Sequence, residues 1–238
     1  MRYWGPNIRI SGEWIMYSPD KNDDNLRANP AANAAQFEKD TQDMLRQLST
    51  NAVAKPILDA FTPASHSVTI RPVTPNAVRK MGSSADFLDK ALQTDWGSPG
   101  APGPGSHATL WFYTGTVNLW GHLYRGDDSL LHELVHALRQ VRGLWRPTPL
   151  TGWDSREELY AAMVTNIFVS RAGRPADMRG SHAIVFIAMT QTDDQFQQQY
   201  RNEILDFRTY MLDIYNSLAG VQTAWNPLKV FEDRFWIR

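Results

Sequence analysis

Hydrophobic and polar positions alternate in short runs over the first half of the chain and recur every three or four residues over the second. Residues 7–15 alternate loosely, which predicts a strand or hairpin, followed by the polar loop SPDKNDDN from Ser18. Residues 33–48 carry Phe37, Met44 and Leu48 at helical spacing among many polar residues, the pattern of a half-exposed helix. The β-branched segment HSVTIRPV (66–73) and the run ATLWFY (108–113) predict two strands suited to lie side by side in one sheet. Between them, DWGSPGAPGPGS (95–106) holds too much Gly and Pro for a helix or central strand and reads as a surface loop rather than an interdomain linker. From residue 128 onward the pattern is helical, over 128–142, 155–171 and 192–218. The last of these bears Phe196, Tyr200, Ile204, Phe207, Met211, Ile214 and Leu218 as a stripe that belongs to the core scaffold. Strands early and helices late predict an α+β fold rather than alternating βαβ units. The chain has 238 residues and no internal repeat, which predicts one domain over 1–238.

Composition narrows the chemistry further. The 42% hydrophobic and 21% charged content is that of a soluble globular protein, and the longest apolar run, 183–189, is too short to span a bilayer. The N-terminus MRYWGPNIRISGEW lacks the basic and apolar regions of a secretory signal peptide, so export would need another route. Lys and Arg number 24 against 25 Asp and Glu, scattered rather than gathered into a stripe, which argues against a nucleic-acid partner. The chain has no cysteine, so disulfides, thiolate metal sites and cysteine nucleophiles are excluded together. Any metal must be held by His, Asp or Glu. Nine Trp are expected to build core and cleft walls.

The segment DDSLLHELVHALRQVRG (127–143) carries the chemistry. Asp127, Asp128 or Ser129 suits the cap of a helix, Arg139 and Arg142 lie near its negative end, and Gly143 suits the C′ position that stops it. His132 and His136, four residues apart, project from one face about one turn apart and can converge on one ion. Glu133 lies one position further round, within reach of a metal-bound water without being a ligand. This is the pattern of a Zn²⁺ hydrolase: the ion lowers the pKa of its water to about 7 and polarises a scissile carbonyl, while Glu133 takes the proton and returns it to the leaving amine. Leu130, Leu131, Leu134, Val135, Leu138 and Val141 predict a buried helix around the His pair.

A third ligand must come from elsewhere, because the metzincin extension requires Gly and His where Arg139 and Arg142 stand. The segment SREELYAAMVTNIF (155–168), after a turn with Pro147, Pro149 and Gly152, predicts a helix that can return a carboxylate. A capping box of Asp154 with Glu157 would leave Glu158 free; Ser155 with Glu158 would reverse the roles. His182, in RGSH, is a further candidate, either as ligand or as a donor to the oxyanion. Asn166 is suited either to orient Glu158 or to satisfy a loop carbonyl. Tyr124, Tyr160 and Tyr210 are candidate oxyanion donors, and His66, His107 and His122 have no ligand spacing.

HELVHA followed by a helix bearing EEL resembles gluzincin-type bacterial toxin and effector peptidases, including clostridial neurotoxin light chains, although the two helices are closer in sequence here. The longer stretch EELYAAMVTNIFVSRAGRPADMRGSH resembles metallopeptidase domains at the C-termini of type VI secretion spike proteins and related polymorphic toxins. The resemblance implies Glu158 as third ligand with His132 and His136, a zincin-like domain with a small N-terminal sheet, a central HELVH helix and a helical C-terminal half, and hydrolysis of a protein or peptide substrate. It further implies a toxin delivered by a secretion apparatus without a signal peptide, acting in the target-cell periplasm, with an immunity protein or a spike fusion as partner. A cytoplasmic enzyme, a catalytically silent zinc-binding module and a zinc amidase acting on cell-wall material are the alternatives.

Overall fold

The three strands β1 (Arg2–Trp4), β2 (Ile8–Ile10) and β3 (Val68–Pro72) begin a five-stranded sheet completed by β4 (Ser84–Phe87) and β5 (Ala108–Phe112). The computed structural model describes residues 1–13, 30–73, 84–87, 102–119, 122–182 and 187–229. Outside these fall the polar loop after Ser18, the end of the 7–15 segment, residues 95–101 of the Gly/Pro loop and most of the 183–189 run.

Strand order is β1-β2-β3-β5-β4, with β2, β3 and β5 parallel and both outer pairs antiparallel. The segments at 66–73 and 108–113 are thus neighbours, as their sequences predict. Period-two alternation gives this sheet one wholly apolar, buried face. In register, Ile8, Val68 and Ala108 form one buried row and Ile10, Ile70 and Leu110 the next, while Arg9, Thr69 and Thr109 point to the other face. The 7–15 segment pairs backward with β1 through a turn at Gly5, whose φ of 63° suits glycine.

Helices α1 (Pro30–Leu48) and α2 (Ala54–Asp59) precede β3. A hairpin of β6 (Val117–Leu119) and β7 (His122–Tyr124) leads into α3 (Gly126–Val141), the helix that carries HELVH. On one side α3 packs against β3, β4 and β5, and on the other against α4 (Arg156–Arg171). All six apolar residues that flank the motif in sequence are buried. The fold is mixed α+β, with the small sheet N-terminal and helices forming the rest. Among the described residues no helix is long and apolar enough to cross a membrane.

The predicted helix over 192–218 is three helices: α5 (Asp193–Gln199), α6 (Arg201–Tyr210) and α7 (Leu212–Ala219). The breaks fall at Tyr200 (φ −113°, ψ 30°) and Met211 (φ −130°, ψ 40°), where neither Gly nor Pro stands. Tertiary packing imposes them. Tyr200 is buried, and its hydroxyl receives hydrogen bonds from Trp153 Nε1 and Gln199 Nε2, so the chain bends to keep the stripe on one core. Every residue of that stripe is buried, in agreement with its scaffold role.

Candidate metal centre

Helix α3 starts two residues earlier than its polar residues suggest. Arg125 is the N-cap, in extended conformation and without a side-chain cap bond, so neither Asp127, Asp128 nor Ser129 caps the helix. Asp128 instead pairs with Arg174 at 2.6 and 2.7 Å, tying the helix start to the segment after α4. The C-terminus follows the sequence reading: Gly143 has φ 68°, its N–H donates to Gln140 O, and Leu144 N–H donates to Arg139 O, the two bonds of a Schellman stop. Arg142 forms a surface pair with Asp213. Arg139 does not serve the helix end; it is fully buried and forms an ion pair with Glu157.

Within this frame His132, Glu133 and His136 are all buried. The imidazoles meet edge to face, with Nε2 atoms 3.2 Å apart. Trp145 packs edge-on against His136 with ring centres 5.5 Å apart. Among the described residues neither Nδ1 atom has a hydrogen-bond partner, so packing orients both rings.

Ser155, not Asp154, caps α4, with its hydroxyl accepting from Glu158 N–H at 3.3 Å. The role reversal that this cap would bring does not occur. Glu158 Oε2 lies 3.2 Å from His132 Nε2 and Oε1 lies 3.4 Å from His136 Nε2, while Glu157 is spent on Arg139. His132, His136 and Glu158 thus form a group whose ligand atoms all lie within 4.8 Å of one another.

The spacing of these atoms fits an ion. Four-coordinate zinc with bonds of about 2.05 Å places neighbouring ligand atoms about 3.3 Å apart; here the two Nε2 atoms are 3.2 Å apart and each faces a different oxygen of Glu158, at 3.2 and 3.4 Å, so that one ligand atom from each residue lies within 4.8 Å of the other two. Two imidazole nitrogens and one carboxylate match a zinc ligand set. Burial drives the His132 imidazole down to about 3, so it stays neutral. Burial opposes charge on His136 as well, but attraction and hydrogen bonding from Glu158, with Glu133 and Glu157 behind it, outweigh this and raise it to about 9. Burial alone would raise Glu158; the two imidazoles hold its carboxyl far below the usual range. Without a cation the cluster therefore keeps one proton where three lone pairs converge.

His182 stands at the open side of this group. Its Nδ1 lies 2.6 Å from Asp154 Oδ2, its Nε2 lies 3.4 Å from Glu158 Oε2, and its ring stacks over His132 with centres 6.4 Å apart. Two backbone clamps hold this loop: His182 N–H donates to Gly152 O, and Asn166 bonds both N–H and C=O of Arg179 at 2.8 and 2.7 Å. Asn166 thus serves the loop and not Glu158. Arg179 in turn lies over the Tyr124 ring at 4.4 Å. Tyr160 donates its hydroxyl to Asp206, which removes it from the oxyanion candidates, and the Tyr210 ring lies 5.9 Å from the Arg146 guanidinium. His107 accepts from Ser67 N–H and His66 meets Pro104 O, both away from the trio; His122 opens β7.

Two contacts at or beside this group were not foreseen from sequence, Arg139 with Glu157 and Asp154 with His182. The first had a signal: Arg139 lies one turn beyond His136 on the buried face of α3, where an arginine demands a partner. The second had none, because a loop histidine and a pre-helix aspartate meet only through the tertiary path of 178–182. No protein-family model matches the chain, and no curated protein matches it in sequence.

Proposed function

We propose that the chain is a gluzincin-type zinc metallopeptidase on a zincin-like fold. The observation that carries this reading is the convergence of His132 Nε2, His136 Nε2 and the Glu158 carboxylate at 3.2–3.4 Å, with Glu133 next to His132 on the same helix. A zinc ion held by these three residues would supply Lewis acidity and an activated water. Glu133 takes a proton from the attacking water and delivers it to the amide nitrogen as the C–N bond breaks and the new C–O bond forms. His182, held at Nδ1 against Asp154, turns Nε2 toward the metal group and donates a hydrogen bond to the oxygen on which negative charge develops. The 34% exposure of the His182 side chain, against 4–7% for the two ligand imidazoles, gives substrate access from that side.

The likeness of HELVHA and the EEL helix to toxin and effector peptidases supports a delivered bacterial toxin with a protein or peptide substrate and a cognate immunity protein. Glu133→Ala is expected to keep its zinc and lower hydrolysis by about 10²–10⁴-fold, and His182→Ala by about 10²–10³-fold, in a screen of protein, peptide and peptidoglycan substrates. Cleavage of peptidoglycan alone would replace the peptidase reading with a cell-wall amidase. Zinc without any Glu133-dependent turnover would leave a binding module. Expression directed to cytoplasm or periplasm, with Glu133→Ala as control, tests the toxin role: harmlessness in both compartments contradicts it.

A further inference from the structure

Behind the metal group lies an ion pair that touches none of its ligand atoms. Arg139 and Glu157 are both fully buried. Arg139 Nε and Nη2 donate to Glu157 Oε2 and Oε1 at 2.8 and 2.9 Å, a bidentate fork. Each partner is itself fixed. Arg139 Nη2 also donates to Leu144 O at 2.7 Å, Glu157 Oε1 accepts from Arg146 N–H at 2.7 Å, and the guanidinium lies 4.0 Å over the Tyr160 ring.

Stability does not account for this pair. Desolvating two charges cancels most of their attraction, and apolar residues of similar volume generally hold helices together as well or better. What a planar, two-bond contact adds is geometry. Arg139 lies one turn beyond His136 on α3, and Glu157 immediately precedes Glu158 on α4. A rotation of α4 by about 20° would carry an atom at its rim by roughly 2 Å, whereas ligand distances tolerate only about 0.2 Å. Such a rotation would also pull Glu157 off the guanidinium.

We propose that the Arg139–Glu157 pair is a positioning device that sets the rotation of α4 against α3 and so aims Glu158 at His132 and His136. The inference rests on the metal-centre reading and assigns a role to residues outside the ligand set. It requires the pair to act through Glu158, which a mutant cycle tests.

Zinc affinity and the visible spectrum of the cobalt-substituted protein are measured for wild type, Arg139→Gln/Glu157→Gln, Glu158→Ala and the triple variant. The paired glutamines leave no uncompensated buried charge and keep amides to serve Leu144 O and Arg146 N–H. The folded double variant is expected to bind zinc about 10–100-fold more weakly with an altered cobalt spectrum. In the Glu158→Ala background the same two changes are expected to shift affinity by less than about twofold. Unchanged affinity in the folded double variant, or equal weakening in both backgrounds, would overturn the positioning role while leaving the metal centre standing. If the double variant does not fold, Glu157→Asp, which keeps the charge and shortens the arm by one methylene, carries the same comparison with the same outcomes. A wild type that binds no metal would overturn the proposed function and this inference together.

Discussion

At the scale of single residues, two imidazoles and one carboxylate converge with their polar atoms 3.2–3.4 Å apart, and this closeness governs how the cluster holds a proton. His136 is raised to about 9 while His132 is pushed down to about 3 and Glu158 stays ionised, so at neutral pH the metal-free cluster holds an imidazolium–carboxylate pair. On the proposed function, a zinc ion would displace that proton. Between about pH 6 and pH 8, apparent zinc affinity should therefore rise about tenfold per pH unit, with about one proton released per ion, and level off above the His136 value. Calorimetry in buffers of different ionisation enthalpy measures this directly; zinc uptake without proton release would contradict the protonated pair. The placing of His132, Glu133 and His136 together on one buried helix was legible in the sequence because it depends only on spacing within that helix. Glu158 was reached through resemblance, since its choice over Glu157 depends on how α4 is rotated. That rotation is a tertiary property: the buried Arg139 that engages Glu157 gave no sign in sequence of which glutamate it would take.

At the scale of elements, the helix that presents the motif is defined more sharply at its end than at its start. Gly143 takes φ 68°, and a Cβ there would lie 2.0 Å from the backbone oxygen of Gly103, the residue whose N–H donates to Gly143 O. Gly143→Ala therefore meets both a strained dihedral and a backbone clash, and should lower unfolding stability by more than about 1 kcal/mol. Gly173→Ala serves as control, because Gly173 shares the positive φ but has open space around its Cβ, so it should cost less. Equal losses in urea unfolding would sink the clash argument. This stop was legible because a Schellman turn is coded locally by glycine. The breaks at Tyr200 and Met211 were not, because no local breaker marks them and burial of side chains on a curved core produces them. Strands of three or four residues, such as β1, β4, β6 and β7, are also too short for alternation to reveal. β3 and β5, with five residues each and β-branched or apolar character, were plain.

At the scale of the whole molecule, α3 lies between two layers that bring unlike things to it. The buried face of the sheet supplies an apolar floor, while α4 and the 178–182 loop bring a carboxylate and a braced histidine. The α+β class was legible from the order of strand-like and helical segments, and so was the pairing of the two central strands. How the loop folds back over α4 was not, because it depends on Asn166 gripping both backbone groups of Arg179, a contact no periodicity announces. The central claim is that this assembly holds a catalytic zinc. The most direct test is metal content by mass spectrometry on purified wild type, His132→Ala, Glu133→Ala and Glu158→Ala after zinc is supplied. About one zinc per chain in wild type and Glu133→Ala, lost in His132→Ala and lost or weakened in Glu158→Ala, is the predicted result; a folded wild type that retains no divalent metal would contradict it.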